Sequence, residues 1–437
     1  MSPKATMQTP KLDKTQKINL WIVGGIGLAF FILMFFPNNT GAKDPHMLFM
    51  FSNDENMTYP IVVRMLSFSR DLHQTWGQLI IYGDYHYGYP FYFLSALVVL
   101  PVRLIFGANF TDHIQLNMLL LRQFISVLPM ILAAGVMVYV LTRFHSTWQS
   151  IGLFVLLITV PGIFRNDLSW WHPDALAVLA VVLTIFFLDR DHLRFGRNFY
   201  LAAFTCGLAS AIKLFGFFFF LTIIGYLAIG LITKKITIKR SLAASSLFLV
   251  VMCATIVLSN PFLFYSGPRQ RMVEIQTSKS VELNSGYQHD DPVYYQKGPQ
   301  WWVFTLSNWY GQPWFLGLLG VSLLIGCFWG VYQFQNRLIL SWILPYSIYI
   351  LYFVAPKPDH FWLPVMVPLF ASSITLPAGL LGDYKKRSLK LLSPVGILLA
   401  VVVAALLVIL LIQLVQNVIG DYPLYVSTVL REINAGY

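Results

Sequence analysis

The sequence predicts an all-α protein that crosses a membrane many times. Three observations carry that expectation. The chain of 437 residues is 57% hydrophobic and only 11% charged, where a soluble protein carries roughly 25% charged residues. Apolar runs of about 16 to 25 residues recur from end to end, each long enough to cross a ~30 Å hydrocarbon layer as a helix. The lysines and arginines gather in short segments between those runs, as cytoplasmic loops require. The net charge of +11 is explained by those loops and does not point to nucleic acid.

Lys4, Lys11, Lys14 and Lys17 place residues 1–18 in the cytoplasm. That segment is long and polar and lacks a small-residue cleavage site, so the first apolar run, 19–36, reads as a retained span and not a signal peptide. Three basic clusters anchor the rest: Arg190/Arg194/Arg197, Lys234/Lys235/Lys239/Arg240 and Lys385/Lys386/Arg387/Lys390. Two short spans, 199–213 and 216–232, fit between the first two clusters, with an outer turn near Lys213. Reading back, spans 174–189, 149–165 and 117–142 alternate in direction. The stretch 90–107 is left over, since a crossing there would turn every later basic cluster to the wrong side. It is expected to lie in the interface, as is 59–80, where Ile61, Met65, Leu66 and Leu72 alternate with Arg64, Arg70 and Asp71 at helical spacing. Residues 37–116 then form a first external loop with two juxtamembrane helices.

Spans 241–258, 313–332, 338–354, 362–381 and 391–415 bring the total to about eleven by charge parity. Between them lie a second large external loop, 259–312, and a short one, 355–361. The whole reads as a single transmembrane domain over 19–415 with a short external tail, 416–437. No repeat and no separate soluble domain is visible. Cys206, Cys253 and Cys327 all fall in apolar runs, so neither a disulfide nor a paired-cysteine metal site is expected.

The unusual polar residues collect on the outer side. Asp54-Glu55 follows the first span, an acidic pair in a chain poor in acids. Asp84, His86, His172, Asp174, Lys213, Arg269, Arg271, Lys357 and His360 map to the same side. Lys213 has no acid near it in sequence, and a charge within a span costs roughly 2.5–3.5 kcal/mol on insertion scales. It either holds a phosphate or snorkels to the interface. His172-Pro173-Asp174 opens a helix, where Asp174 is a site residue or a helix cap, and Trp170-Trp171 read as interface anchors. In the tyrosine-rich run from Tyr82 to Pro90, an aromatic belt leaves Asp84 and His86 unexplained. The aromatic stretch 294–314, with Trp302, either stacks on sugar faces or anchors a loop. Arg269 and Arg271 suit a phosphate or an anionic lipid head, on what reads as a third surface helix. P-loop, dinucleotide-binding and HExxH or GxSxG patterns are absent from the sequence.

These residues resemble the GT-C superfamily of membrane glycosyltransferases, which take sugars from polyprenyl-phosphate carriers and include protein O-mannosyltransferases and the aminoarabinose transferase of lipid A. The likeness rests on Asp54-Glu55 after the first span, two juxtamembrane helices in the loop, and His172-Pro173-Asp174-Ala175-Leu176 before a helix. It rests also on Lys213 after the small-residue run Gly207-Leu208-Ala209-Ser210-Ala211-Ile212, and on His360-Phe361-Trp362-Leu363-Pro364 opening a late span. It covers 19–381. Two motifs depart: Tyr87-Gly88-Tyr89-Pro90 stands where the pattern has Lys-Pro-Pro-Leu, and His360-Phe361 where it has an arginine.

The resemblance implies a GT-C fold and an inverting single displacement at the extracytoplasmic face of a membrane, with a bacterial inner membrane as the setting. The donor would be a polyprenyl-phosphate sugar and the acceptor a glycan, lipid or protein. Asp54 would be the general base and Glu55 would position acceptor or sugar. Lys213, with His360, Arg269 or Arg271, would hold the phosphate, and Asp84, His86, His172, Asp174 and Trp302 would line the sugar or acceptor site. No cofactor is expected. A divalent metal on Asp54, Glu55 and Asp84 is the less favoured option, since lysine can neutralise the phosphate. A secondary transporter or a lipid-binding, flippase-like protein are the alternatives.

Overall fold

The structure is a computed structural model. It describes residues 12–40, 53–168, 170–286 and 292–375, and, within 401–423, all but 402, 403, 406, 417 and 421. Every regular element among these residues is helical. The predicted span 391–415 lies largely outside the described residues, as does the basic cluster at 385–390.

Small side chains build the centre. The helices Asp174–Asp191 and Arg197–Ile212 pack along each other, the second also against Ile238–Ser259 and the first against Leu128–Thr142. Ala175, Ala177, Ala180, Ala202, Ala203 and Ala209 are buried there. A side chain at Gly207 would stand 2.6 Å from the Met252 carbonyl. Small residues let helix backbones approach closely where lipid offers no hydrophobic drive to association. The end of this bundle away from the acidic pair is clasped by polar side chains. Asp189 pairs with Arg143 and accepts from Gln335, and Asp191 accepts from Tyr226 Oη and the backbone of Phe195 and Gly196.

Among the described residues, four stretches are long and apolar enough to cross a membrane: Lys14–Asn39, Tyr89–Thr142, Leu214–Ile232 and Ile238–Leu258. Thr147–Thr159, Pro313–Gly326 and Leu407–Gly420 are apolar but shorter. The Tyr89–Thr142 stretch holds 54 residues, about 80 Å as one helix, far more than a bilayer. It folds back. Gly107 takes φ +62 at the head of the 3-10 segment Gly107–His113, and the Tyr89–Phe106 helix packs against Ile114–Leu121.

Several boundaries differ from the sequence reading. The expected surface helix 59–80 is two, Asn53–Met65 and Leu72–Ile80, and Asp71 caps the second by accepting from the His73 N–H. Asp54 and Glu55 therefore sit inside the first turn of a helix and not in the loop before it. The stretch 149–165 is broken at Val160, because Pro161 starts a new short helix, Pro161–Asn166. Residues 117–142 carry a π-helical turn, Arg122–Val127. The segment 259–312, expected as the second external loop, carries the helix Ser266–Ser285, which buries none of its side chains fully.

One contact locks the first loop to the bundle. The Gly88 N–H donates to the Ile212 carbonyl at 3.0 Å, and a Cβ on Gly88 would lie 1.5 Å from the Ala211 oxygen. No rotamer relieves a clash with backbone. Gly88→Ala is expected to lower stability by about 1–3 kcal/mol or more, read as a fall in melting temperature of the purified protein. An unchanged melting curve would show that the loop does not seat here.

Candidate active site

The acidic pair splits. Asp54 and Glu55 are adjacent on a helix, so their side chains diverge by about 100°. Glu55 turns inward and is fully buried. Its two oxygens accept from Arg122 Nε at 2.9 Å and Nη2 at 2.5 Å, and Oε1 also accepts the Trp171 N–H at 2.6 Å. Arg122 projects from the π-helical turn and donates on to the Asn38 carbonyl. This fork ties the end of the first helix, the first-loop helix and the loop before Asp174 together. Glu55 was expected at the substrate, and the structure places it in a buried pair behind it.

Asp54 turns the other way, its side chain 45% exposed. It lines a chamber of about 380 Å³ with Asp84, Tyr87, Lys213, Lys279 and His360. Behind the chamber lies Asp174, almost completely buried. It opens its helix without capping it; its carboxylate accepts from Lys213 Nζ at 2.5 Å instead. His172 Nδ1 is 2.6 Å from the other Asp174 oxygen, and His360 Nε2 is 3.9 Å from it. His172 Nε2 meets the Tyr87 hydroxyl at 2.7 Å and stands 3.7 Å from Asp54 Oδ2. The Nδ1–Asp174 approach lacks hydrogen-bond alignment, so which partner donates between the Tyr87 hydroxyl and His172 Nε2 depends on the imidazole tautomer. Trp170 stacks on His172 at 4.5 Å.

Lys213 is the residue at which the Arg197–Ile212 helix ends in an extended conformation. That exit turns its side chain back onto Asp174, and Phe361 lies 5.4 Å from its ammonium. Asp84 and His86 bind each other, and Asp84 accepts from the Tyr92 hydroxyl at 3.0 Å. Burial alone would raise the Asp84 carboxyl, but the contacts from His86 and Tyr92 hold it below its usual value.

Not every expected phosphate ligand reaches the chamber. Burial, with Lys213 close by, pushes the His360 imidazole well below its ordinary value despite Asp174. His360 is thus at the chamber wall but neutral at pH 7. Arg269 donates to the Leu263 carbonyl and Arg271 pairs with Glu274 in the open; neither lines the chamber. The cation that does is Lys279, further along the same Ser266–Ser285 helix and 4.7 Å from the Tyr87 ring. Burial and the neighbouring Lys213 charge lower it to about 8. Trp302 is fully buried beside Lys357 and Trp362, so no sugar can stack on it. Trp171 is buried too, its indole donating to Ser95, and is no interface anchor. The signal for Lys279 was in the sequence: it lies on the same side and the same surface helix as the two arginines.

The metal set considered from sequence does not fit. Glu55 is engaged by Arg122 and cannot join Asp54 and Asp84. His172, Asp174 and His360 have ligand atoms within 4.8 Å of one another, but the Lys213 ammonium already holds one Asp174 oxygen and a second lysine faces the same space. Lys213 and Lys279 bring two positive charges to the chamber.

No protein-family model and no curated protein matches the sequence. The fold does match a solved structure. The archaeal oligosaccharyltransferase AglB from Archaeoglobus fulgidus, in complex with an inhibitory peptide and a dolichol-phosphate, superposes with a TM-score of 0.53 at 14% identity, over 95% of this chain and 56% of that one. ArnT from Cupriavidus metallidurans bound to undecaprenyl phosphate aligns more loosely, with a TM-score of 0.47 at 13% identity, over 96% of this chain and 75% of that one. The chain spans about half the length of the AglB structure, and the two share a GT-C type membrane fold.

The buried fork gives a test that separates structure from chemistry. Arg122→Met strands the Glu55 carboxylate and is expected to cost about 3–5 kcal/mol, whereas Arg122→Met with Glu55→Leu restores much of it. Chemical or thermal unfolding of the single and double variants measures this. A single variant as stable as the parent would mean the pair bears no load.

Proposed function

We propose that the protein transfers a sugar from a polyprenyl-phosphate donor to an acceptor hydroxyl at the extracytoplasmic face of a membrane. The observation that carries the reading is a shared junction. Lys213, Lys279, His86 and Phe361 line both the acidic chamber and an apolar groove of about 210 Å³ walled by Phe215, Phe218, Tyr346 and Tyr349. A prenyl chain suits the groove, a phosphate suits the two lysines at the junction, and a sugar suits the chamber beyond.

The reaction is a single displacement. Asp54 takes the proton of the acceptor hydroxyl as its oxygen bonds to the anomeric carbon. The bond from that carbon to the phosphate oxygen breaks, and the electron pair leaves with the polyprenyl phosphate. Lys213 and Lys279 meet the charge that builds on the leaving oxygen, where preorganised cations lower the barrier most. Asp174 holds Lys213 in place, and His172, held by Tyr87, sits beside Asp54. No nucleotide and no metal is needed in this scheme.

General-base assistance is worth roughly 10²–10⁴-fold. Asp54→Asn is therefore expected to lower transfer by that factor and leave polyprenyl-phosphate binding intact, with the parent rate unchanged by EDTA. Transfer by the variant at near the parent rate would remove Asp54 as the base. Loss of parent activity in EDTA that a divalent cation restores would bring a metal into the site.

Lys279 gives a pH signature. Its value, lowered to about 8, leaves it charged below that pH and neutral above. Affinity for undecaprenyl phosphate is expected to fall as pH rises from 7 to 9, by roughly tenfold for one lost charge-assisted hydrogen bond. Lys279→Arg should abolish the fall and Lys279→Gln should bind weakly throughout. Titrations of fluorescent undecaprenyl phosphate against the three proteins decide it, and a fall that persists in Lys279→Arg assigns the titration elsewhere.

A further inference from the structure

The donor accounts for one apolar groove, yet two reach the site. A second cavity of about 500 Å³ lies on the other side of Leu214, walled by Phe217, Ile256, Leu263, Val273 and Val281. It extends to His86, Tyr87 and Lys213, so chamber, first groove and second groove all meet at His86 and Lys213.

The Ser266–Ser285 helix divides the two grooves. Lys279 and Leu283 face the first, Val273, Thr277 and Val281 face the second, and Gln276 and Ser280 line both. Those spacings of three and four residues are the faces of one helix. Gln276 Nε2 donates to the Tyr85 carbonyl at 2.6 Å, which pins the divider above the junction.

The second groove has an exposed apolar rim. Its rim carries Leu214, Phe217, Val273 and Val281, 44–60% exposed, and the adjoining Ile238–Ser259 helix exposes Val250 and Leu258 at 61% and 72%. A contiguous apolar surface of this kind on a membrane-spanning helix faces hydrocarbon. Among the described residues no carboxylate lines this groove, and Lys279 does not either, so it lacks the paired lysines that suit the donor's phosphate.

We propose that the second groove seats the apolar tail of the acceptor, and that the acceptor is therefore an amphipathic lipid with a hydroxylated head. The head would pass Tyr87 and His86 to bring its hydroxyl to Asp54, entering the displacement described above with nothing else consumed. The inference rests on the proposed transfer reaction and narrows its acceptor to one class. A soluble peptide or glycan would leave this groove without an occupant.

Photoreactive benzoylphenylalanine placed in the full chain, in native membranes, tests it at three positions: 281 in the second groove, 349 in the first, and 258 on the outer lipid-facing surface. Mass spectrometry identifies the lipid captured at each. Position 281 is expected to capture a lipid with a hydroxylated head that position 258 does not. Thr277→Trp, on a helix with no fully buried side chain, should cut that capture at least about tenfold and leave capture at 349 intact. Bulk phospholipid at 281 as at 258, a polyprenyl phosphate at 281, or no adduct there overturns the proposal. Failure to capture a polyprenyl phosphate at 349 overturns the donor reading instead, so the two fail separately.

Discussion

The site is organised by one buried charge. Asp174 lies where water cannot reach it, and an ionised carboxylate there is tolerable only with partners of opposite charge and good geometry. Lys213 is that partner, at 2.5 Å. Much of the surrounding architecture serves this contact. The small-residue interface brings the helices of Asp174 and Lys213 side by side. The chain leaves its helix at Lys213 in an extended form, which turns the ammonium to the carboxylate. Gly88 permits the first loop to lie on the backbone of Ala211 and Ile212, and so brings Tyr87 to His172 and Asp84 to the chamber. An ammonium held by a carboxylate on one side still offers donors on the other, pre-aimed at whatever enters.

Asp54 and Glu55 show how neighbours in sequence acquire separate tasks. The side chains point in different directions because they share a helix. Glu55 meets a guanidinium fork and a backbone N–H, which use both its oxygens and leave it no proton to carry. Asp54 meets a chamber, with His172 as its nearest partner at 3.7 Å, and keeps an oxygen free for chemistry. Removing either acid would be expected to weaken function for different physical reasons: Glu55 through the fold and Asp54, as the proposed base, through the proton.

Sequence reading located most of the chamber, because charge parity and apolar run length are nearly local properties. Asp54, Asp84, His86, His172, Asp174, Lys213 and His360 come together as their shared face implied. What it could not give was pairing over distance. Arg122 lies 67 positions from Glu55 and Lys213 lies 39 from Asp174, and no periodicity encodes either contact. The π-helical turn that carries Arg122 has no sequence signature. Aromatic residues misled for a related reason. Trp171 and Trp302 have the composition of a membrane belt but are core residues, and burial is decided by tertiary packing. On the Ser266–Ser285 helix the three cations look alike in sequence, yet only the register against the first loop singles out Lys279.

In the proposed reaction the distribution of charge would also orient the donor. Both lysines stand at the junction, and among the described residues the acids lie on the chamber side of it: Asp54, Asp84 and Glu282 line the chamber, while no described carboxylate lines either groove. A lipid phosphate moving up the first groove meets positive charge first and net negative charge beyond. It is drawn to the lysines and repelled from going further, so it stops there. The uncharged sugar meets no such barrier and extends among carboxylates that accept its hydroxyls. In the proposed reaction the anomeric carbon would then be held between the lysines that meet the leaving group and the acid that takes the incoming proton. Depth in the site is set by electrostatics and the chain's direction by the groove, which leaves the identity of the sugar to the finer shape of the chamber.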